Sequence, residues 1–341
     1  MSKNQSLKKP GLVSVVVASY NHAKFLSERM ESLINQTYKD IEILIIDDCS
    51  TDDSRKILSK YKKYKNVKII MREENGGWVV TFNQGIENTS GEFIIFANTD
   101  DTCEPNMIEN LLKGFNQNPS VGISYCRSQM IDENNKLLGD DFAGRSRSFR
   151  KRCSQSTLLK KDEMSRFLLD SCVMPNMSAV LIRRECFDLT GKFTGAYQVC
   201  SDWNFYFQVV SKYDVSYSIE PLNKFRMHPT SAVAVMTNRA LYEEYFRLLF
   251  GQIRALDLHF IERIVFRIHI ITLWGKSLIT HPWNGLRNFI YHLKKIFQYD
   301  PPSLFFIPIG FILSAFEIIK IIIRKVLKKG FARQPGLVAD K

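Results

Sequence analysis

Asp100 and Asp101 follow the apolar run Phe93-Ile94-Ile95-Phe96-Ala97, with only Asn98 and Thr99 between. Adjacent carboxylates just beyond such a run can hold a hard divalent cation, and the cation can hold a diphosphate. The plainer reading is a solvated turn that caps the helix opened by Pro105 and Asn106. A second run, Glu42-Ile43-Leu44-Ile45-Ile46, ends in Asp47-Asp48-Cys49-Ser50-Thr51-Asp52, and a third, Val13 to Ala18, ends in Ser19-Tyr20-Asn21. Tyr20 offers an aromatic face, and Asp48 a carboxylate that can accept N–H donors. Further on, Asp202 in Cys200-Ser201-Asp202-Trp203 is a carboxylate that could take a proton or cap a helix.

Three short apolar runs must place these groups. Each reads as a buried strand, and helical stretches lie between them, roughly Ala23 to Gln36, Asp53 to Tyr64 and Val79 to Asn88. Strands alternating with helices predict βαβ units and a parallel sheet. In such sheets the carboxyl ends of the strands share one edge, where ligands bind. The expected fold class is therefore α/β, a Rossmann-like and mostly parallel sheet flanked by helices.

Composition sets outer bounds. The chain has 341 residues, 45% of them hydrophobic, and a net charge of +12. That length holds one large domain with an appendage, or two domains. The charge suits an acidic partner: an anionic membrane, a phosphorylated substrate or nucleic acid. No nucleic-acid-binding motif is present, so nucleic acid is not expected. Seven scattered Cys show no Cys-x-x-Cys spacing, which argues for reduced thiols rather than a zinc site. The polar, basic first ten residues and the short apolar run after them do not read as a secretory signal.

From Leu12 to Ser231 the chain resembles the family 2 glycosyltransferases. The resemblance rests on ordered motifs: Ala18-Ser19-Tyr20-Asn21, Ser32 to Tyr38, Asp47 to Asp52, Asn75-Gly76-Gly77, Asn83-Gln84-Gly85-Ile86 and Ser90-Gly91-Glu92. It implies the GT-A fold and inverting transfer from a nucleotide-diphosphate sugar, a UDP-sugar by expectation, because a Tyr20 face for the base and an Asp48 acceptor for an imide N–H suit uracil better than a purine, though thymine fits equally. Ala18, Tyr20, Asn21, Asp48, Asn98, Thr99 and Asp100 would then contact the donor. Asp100 would hold Mg²⁺ or Mn²⁺, with Asp101 and His228 as further candidate ligands; His228 ends Phe225-Arg226-Met227-His228, similar to a family Tyr-Arg-x-His motif. Asp202 would be the general base. The chain departs from the pattern at four places: Cys49 for Gly, Asn98 for the first Asp of the metal motif, Phe82 for a basic residue, and Ser201 for Glu.

The resemblance implies a nucleotide-binding half at 12–105 and an acceptor-side half at 106–231, after a tail at 1–11. Nothing in Cys126 to Met177 reveals the acceptor, which the resemblance makes a glycan or lipid-linked hydroxyl in bacterial surface polysaccharide synthesis. A polyprenyl-phosphate sugar synthase is the same-class alternative. A non-catalytic nucleotide-sugar-binding scaffold, suggested by Asn98 and Ser201, is the other.

The remainder, 232–341, reads as a helical extension. Fifteen Lys/Arg stand against seven Asp/Glu from Leu241 to Lys341. Ser303 to Ile323 is mostly apolar, interrupted by Glu317 and Lys320, with Pro308 and Gly310 expected to disturb a helix, and it leads into Arg324, Lys325, Lys328, Lys329 and Arg333. A helix lying in the interface of an anionic membrane fits better than a soluble packed helix, and both fit better than a span, which would carry the basic tail outward. The expected location is the cytoplasmic face of the plasma membrane.

Overall fold

A computed structural model of the chain describes residues 8–174, 176–229, 238–280 and 285–331. The chain forms two compact units, Met1–Val235 and Met236–Lys341. The expected boundary at 231/232, the basic Arg333 and most of the 1–11 tail lie outside the described residues.

The first unit is built on β1 (Lys9–Ser19), β2 (Ile41–Asp47), β3 (Val67–Met71) and β4 (Gly91–Asn98). β1 pairs in parallel with β2 and β4, and β2 with β3. Val15, Val16 and Val17 are buried, as are Ile45, Ile46, Ile95 and Phe96. Burial on both faces explains the unbroken apolar runs, because helices cover both sides of such a sheet. α1 (Ala23–Ile34), α2 (Ser54–Ser59) and α3 (Gly77–Glu87) are the connecting helices.

All three connecting helices differ from their expected bounds: α1 ends at Ile34, two residues short of Gln36. α2 ends at Ser59, and a 3-10 turn, Lys60–Lys63, continues it and buries Tyr61. α3 begins two residues early, because its first amides are capped by a carboxylate from another loop. Gly85 of α3 marks a close approach: a Cβ there would lie 2.2 Å from a methyl of Val16 on β1.

The second half of the unit turns mixed. β5 (Thr102–Cys103) and α4 (Met107–Gln117) lead to β6 (Val121–Ile131) and β7 (Leu137–Asp140). α5 (Arg147–Arg152), β8 (Thr157–Leu159), α6 (Lys161–Asp170) and β9 (Val180–Arg183) follow, then α7 (Glu185–Thr190), α8 (Ser201–Val210) and β10 (Asp214–Arg226). The strand order is β3-β2-β1-β4-β9-β6-β10-β5. β9 is antiparallel to both β4 and β6, and β10 runs parallel to β6. The sheet is thus parallel across the half that the apolar runs announced and mixed beyond it.

The second unit is helical, with α9 (Asn238–Ala255), α10 (Phe260–Thr280), α11 (Gly285–Tyr299) and α12 (Ile307–Phe331). A 3-10 turn, Pro301–Phe306, precedes α12. Pro308 does not disrupt α12. It sits in the first turn, where an amide has no intrahelical partner to lose.

Candidate active site

The parallel register sets the site. Ser19 stands opposite Asp47, and Ala18 opposite Asn98, so three strands end on one edge. The loops after them interlock. Asn21 Oδ1 accepts from the Thr51 amide at 2.8 Å, and its own amide donates to Ser50 Oγ at 3.0 Å. Asp52 Oδ2 accepts from the Ala23 amide at 3.0 Å. Asn21 therefore clamps the first loop to the second, while the Tyr20 ring is left half exposed.

Asp48 is less open than a free nucleotide ligand. Its Oδ1 accepts from the Gly76 amide at 2.9 Å and is ion-paired with Arg72 at 3.0 Å, and its Oδ2 accepts from the Gly77 amide at 2.7 Å. It closes the start of α3, where Gly77 has φ +77°. A carboxylate oxygen has two acceptor positions, so Oδ2 keeps one for a further N–H. The neighbouring Asp47 is fully buried and binds Arg55 Nε at 2.8 Å and the Ser50 amide at 3.0 Å.

Cys49 has φ +67°, the left-handed conformation that a side chain resists by about 1–2 kcal/mol. The family's Gly at this position avoids that cost. Cys49→Gly is expected to stabilise the first unit by about 0.5–1 kcal/mol, after the added unfolded-chain entropy of Gly. A thermal melt should shift upward by about 1–3 °C. A downward shift would show that the bond from the Cys49 thiol to the Glu73 carbonyl, 3.2 Å, outweighs the strain.

The metal-motif loop divides its two carboxylates. Asp101 is buried, and both its oxygens are engaged: Oδ2 by Ser178 Oγ at 2.6 Å and Asn176 Nδ2 at 3.0 Å, Oδ1 by the Arg226 amide at 3.0 Å. Burial, reinforced by Asp100 and opposed by Arg29, pushes its carboxyl pKa up to about 7. Asp101 braces the loop through both of its oxygens. Asp100 is turned the other way, and His228 Nε2 lies 2.9 Å from its Oδ2.

Two residues not singled out by sequence complete this cluster. His22 Nδ1 lies 2.6 Å from Thr99 Oγ1, and its ring meets His228 edge-on at 5.8 Å. Burial lowers the His22 pKa; His228 adds to the shift and Asp100 opposes it. Arg226 is buried, with Nε donating to the Asp100 carbonyl at 2.6 Å, Nη1 to the Asp132 carbonyl at 3.0 Å and Nη2 to Glu28 at 3.0 Å. The arginine of the Phe-Arg-Met-His segment thus supports the loop whose aspartate the histidine meets. Asn98 lies beside them, its amide donating to Ser178 Oγ at 3.0 Å.

Asp202 is the second residue of α8, two positions past Cys200, which is the cap residue in its place. Its Oδ1 accepts from the Trp203 amide at 2.6 Å, and the side chain is half buried. Its charge adds to the burial that raises the Cys172 and Tyr206 pKa values. Ser201, in place of Glu, is buried and donates to the Thr194 carbonyl at 2.8 Å. The segment before α8 is tied to α3: Trp78 Nε1 donates to the Gln198 carbonyl at 3.1 Å, and Asn83 exchanges bonds of 2.9 and 3.0 Å with the Phe193 backbone. Phe82 is buried against Phe96 and Phe193, so packing explains the loss of a basic residue there.

Among the described residues no group of three His, Cys, Asp or Glu forms a ready-made metal cage. Asp100 and His228 are a two-residue set of oxygen and nitrogen donors. That fits Mg²⁺ or Mn²⁺ where substrate oxygens and water complete the shell. A depression of about 530 Å³ lies elsewhere, lined by Gly11, Tyr38, Glu92 and Arg183 near the amino ends of β1 and β4. It contains none of these groups.

Comparison with known proteins agrees with this arrangement. Residues 14–187, half of the chain, match the model of glycosyl transferase family 2. An uncharacterized glycosyltransferase of Rickettsia typhi is 31% identical over 251 residues, 72% of this chain and 72% of that protein. TuaG of Bacillus subtilis, provisionally named for teichuronic acid biosynthesis, is 34% identical over 103 residues, 30% of this chain and only 41% of that protein. Staphylococcus aureus TarS 1–349, solved in complex with UDP-GlcNAc, shares the fold: TM-score 0.63 at 19% identity, over 84% of this chain and 80% of that one. The strand-end loops, the family match and the likeness to the rickettsial protein over 72% of both chains converge: this chain belongs to glycosyl transferase family 2 and has the GT-A fold.

Proposed function

We propose that the protein is an inverting hexosyltransferase that moves a sugar from a UDP-sugar to a hydroxyl of a glycan or lipid-linked acceptor in surface polysaccharide synthesis. The observation that carries this reading is the pairing of Asp100, on the loop after β4, with His228, just past β10, 2.9 Å apart and beside the loop that presents Tyr20. The UDP-GlcNAc held by TarS and the name of TuaG support the donor and the pathway class.

Tyr20 would stack on the base, and the remaining acceptor position of Asp48 Oδ2 would take the imide N–H. Ala18, Asn21, Asn98 and Thr99 would line the donor, with the Asn98 amide side chain suited to a ribose hydroxyl. Asp100 and His228 would hold Mg²⁺ or Mn²⁺, which when bound neutralises charge growing on the departing diphosphate. Asp202 would take the acceptor hydroxyl proton as that oxygen bonds to the anomeric carbon and the bond to the diphosphate breaks. An anionic membrane surface on the cytoplasmic side is the proposed setting, because the second unit is basic and exposes apolar residues.

Calorimetry with UDP, GDP and dTDP tests the donor assignment. UDP should bind in the presence of Mn²⁺ and more weakly without it. GDP binding as tightly as UDP would contradict the pyrimidine reading.

A further inference from the structure

The second unit exposes an unusual amount of apolar surface. Within Pro301–Ile321, long and apolar enough to cross a membrane, only 11% of the most apolar window is buried. Phe305 is 84% exposed, and Ile309, Ile312, Phe316 and Ile319 follow at helical spacing, all exposed. Phe260, Ile261 and Phe297, on two other helices, are 75%, 65% and 64% exposed. Soluble monomers rarely leave so much large apolar surface open without a partner for it.

The packing limits how this surface can be used. α12 is fastened to α10 by small residues. A Cβ on Gly310 would lie 2.5 Å from Ile271, and one on Gly275 would lie 2.6 Å from Ser314. Ser314 Oγ also donates to the Thr272 carbonyl at 2.8 Å. The contacts advance together, 271 with 310 and 275 with 314, so the two helices run parallel at close range. α11 returns antiparallel: Arg267 binds Asp300 at 2.7 Å, while Trp274 stacks on Phe289 and donates to His292 at 2.9 Å.

We propose that Met236–Lys341 is a monotopic lipid-docking module in which α10 and α12 enter the interface of an anionic bilayer as one body, Phe260 and Ile261 sharing the contact with α12. This deepens the membrane setting of the proposed function and rests on it. A spanning α12 would carry α10 with it, placing Lys276 level with residue 315, at hydrocarbon depth along with Glu317 and Lys320 of α12 itself, where ionisable side chains are costly. Docking in the plane keeps them wet. Charge selects lipid over a second copy of the chain: the apolar stretch runs on into Arg324, Lys325, Lys328 and Lys329, which anionic headgroups attract and a second basic module repels.

Flotation with phosphatidylcholine vesicles, with and without phosphatidylglycerol, tests this on the full chain. The protein should float with anionic vesicles and lose only part of its binding in high salt. Phe260→Ser combined with Ile261→Ser lies outside α12 and alters exposed side chains only. It should weaken partition about tenfold or more while leaving the thermal melt and UDP binding in solution unchanged. Those two controls separate a failure of docking from a failure of the donor assignment. Absence of vesicle binding overturns the proposal. So does wild-type partition by the double variant, which would leave α12 docking alone. A tag after Lys341 that external protease cannot reach in sealed vesicles would show a span. A discrete dimer that the same substitutions dissolve, without lipid partition, would assign the surface to self-association.

Discussion

Asp202→Asn should lower the rate of sugar transfer by about 10²–10⁴-fold, the usual contribution of a positioned general base. The substitution isolates charge from shape. Asp202 Oδ1 accepts the Trp203 amide, and an Asn carbonyl oxygen can do the same, so the first turn of α8 should stay as it is. UDP affinity should change little, because the side chain belongs to the half proposed to face the acceptor. Measured kcat and KM for donor separate the effects: kcat falls and donor KM holds. A variant within a few-fold of wild type would mean another base, or an acceptor that is already an anion, as a polyprenyl phosphate would be.

Asp100→Asn should remove the metal-linked part of donor binding. The variant keeps the volume and can still pair with His228 Nε2, while Asp101 continues to brace the loop through Asn176, Ser178 and the Arg226 amide. Its fold should therefore persist. UDP affinity measured with Mn²⁺ should fall at least about 10–100-fold, toward the metal-free value. Unchanged Mn²⁺-dependent binding would remove Asp100 from the metal site.

The strand ends were legible because burial on both faces leaves continuous apolar runs, and each run stops where polar groups begin. β1, β2 and β4 and the residues after them follow from that pattern alone. β6, β9 and β10 carry mixed neighbours and no comparable run, so the mixed half of the sheet was not readable. Adjacent carboxylates were legible as a pair but not as individuals. Whether Asp100 or Asp101 turns inward depends on Asn176 and Ser178, more than seventy residues away.

The same distance hid His22. Its role is visible only once the parallel register brings Thr99 alongside it. Arg226 lay within a recognised segment, yet its partners come from three separate stretches, Glu28, Asp100 and Asp132. The early start of α3 was likewise set from outside, by the carboxylate of Asp48. Cys49 was the reverse case: a non-Gly residue where the family has Gly is a local sign of a left-handed position, and φ +67° is what it marks.

The most direct test of the central claim is release of nucleoside diphosphate from a panel of nucleotide sugars by the full-length protein, with Mn²⁺ and with chelator. The account predicts UDP release from at least one UDP-sugar, dependent on the metal and lost in Asp100→Asn. Donor binding with neither transfer nor slow donor hydrolysis, across the whole panel, would contradict it and leave a nucleotide-sugar-binding scaffold.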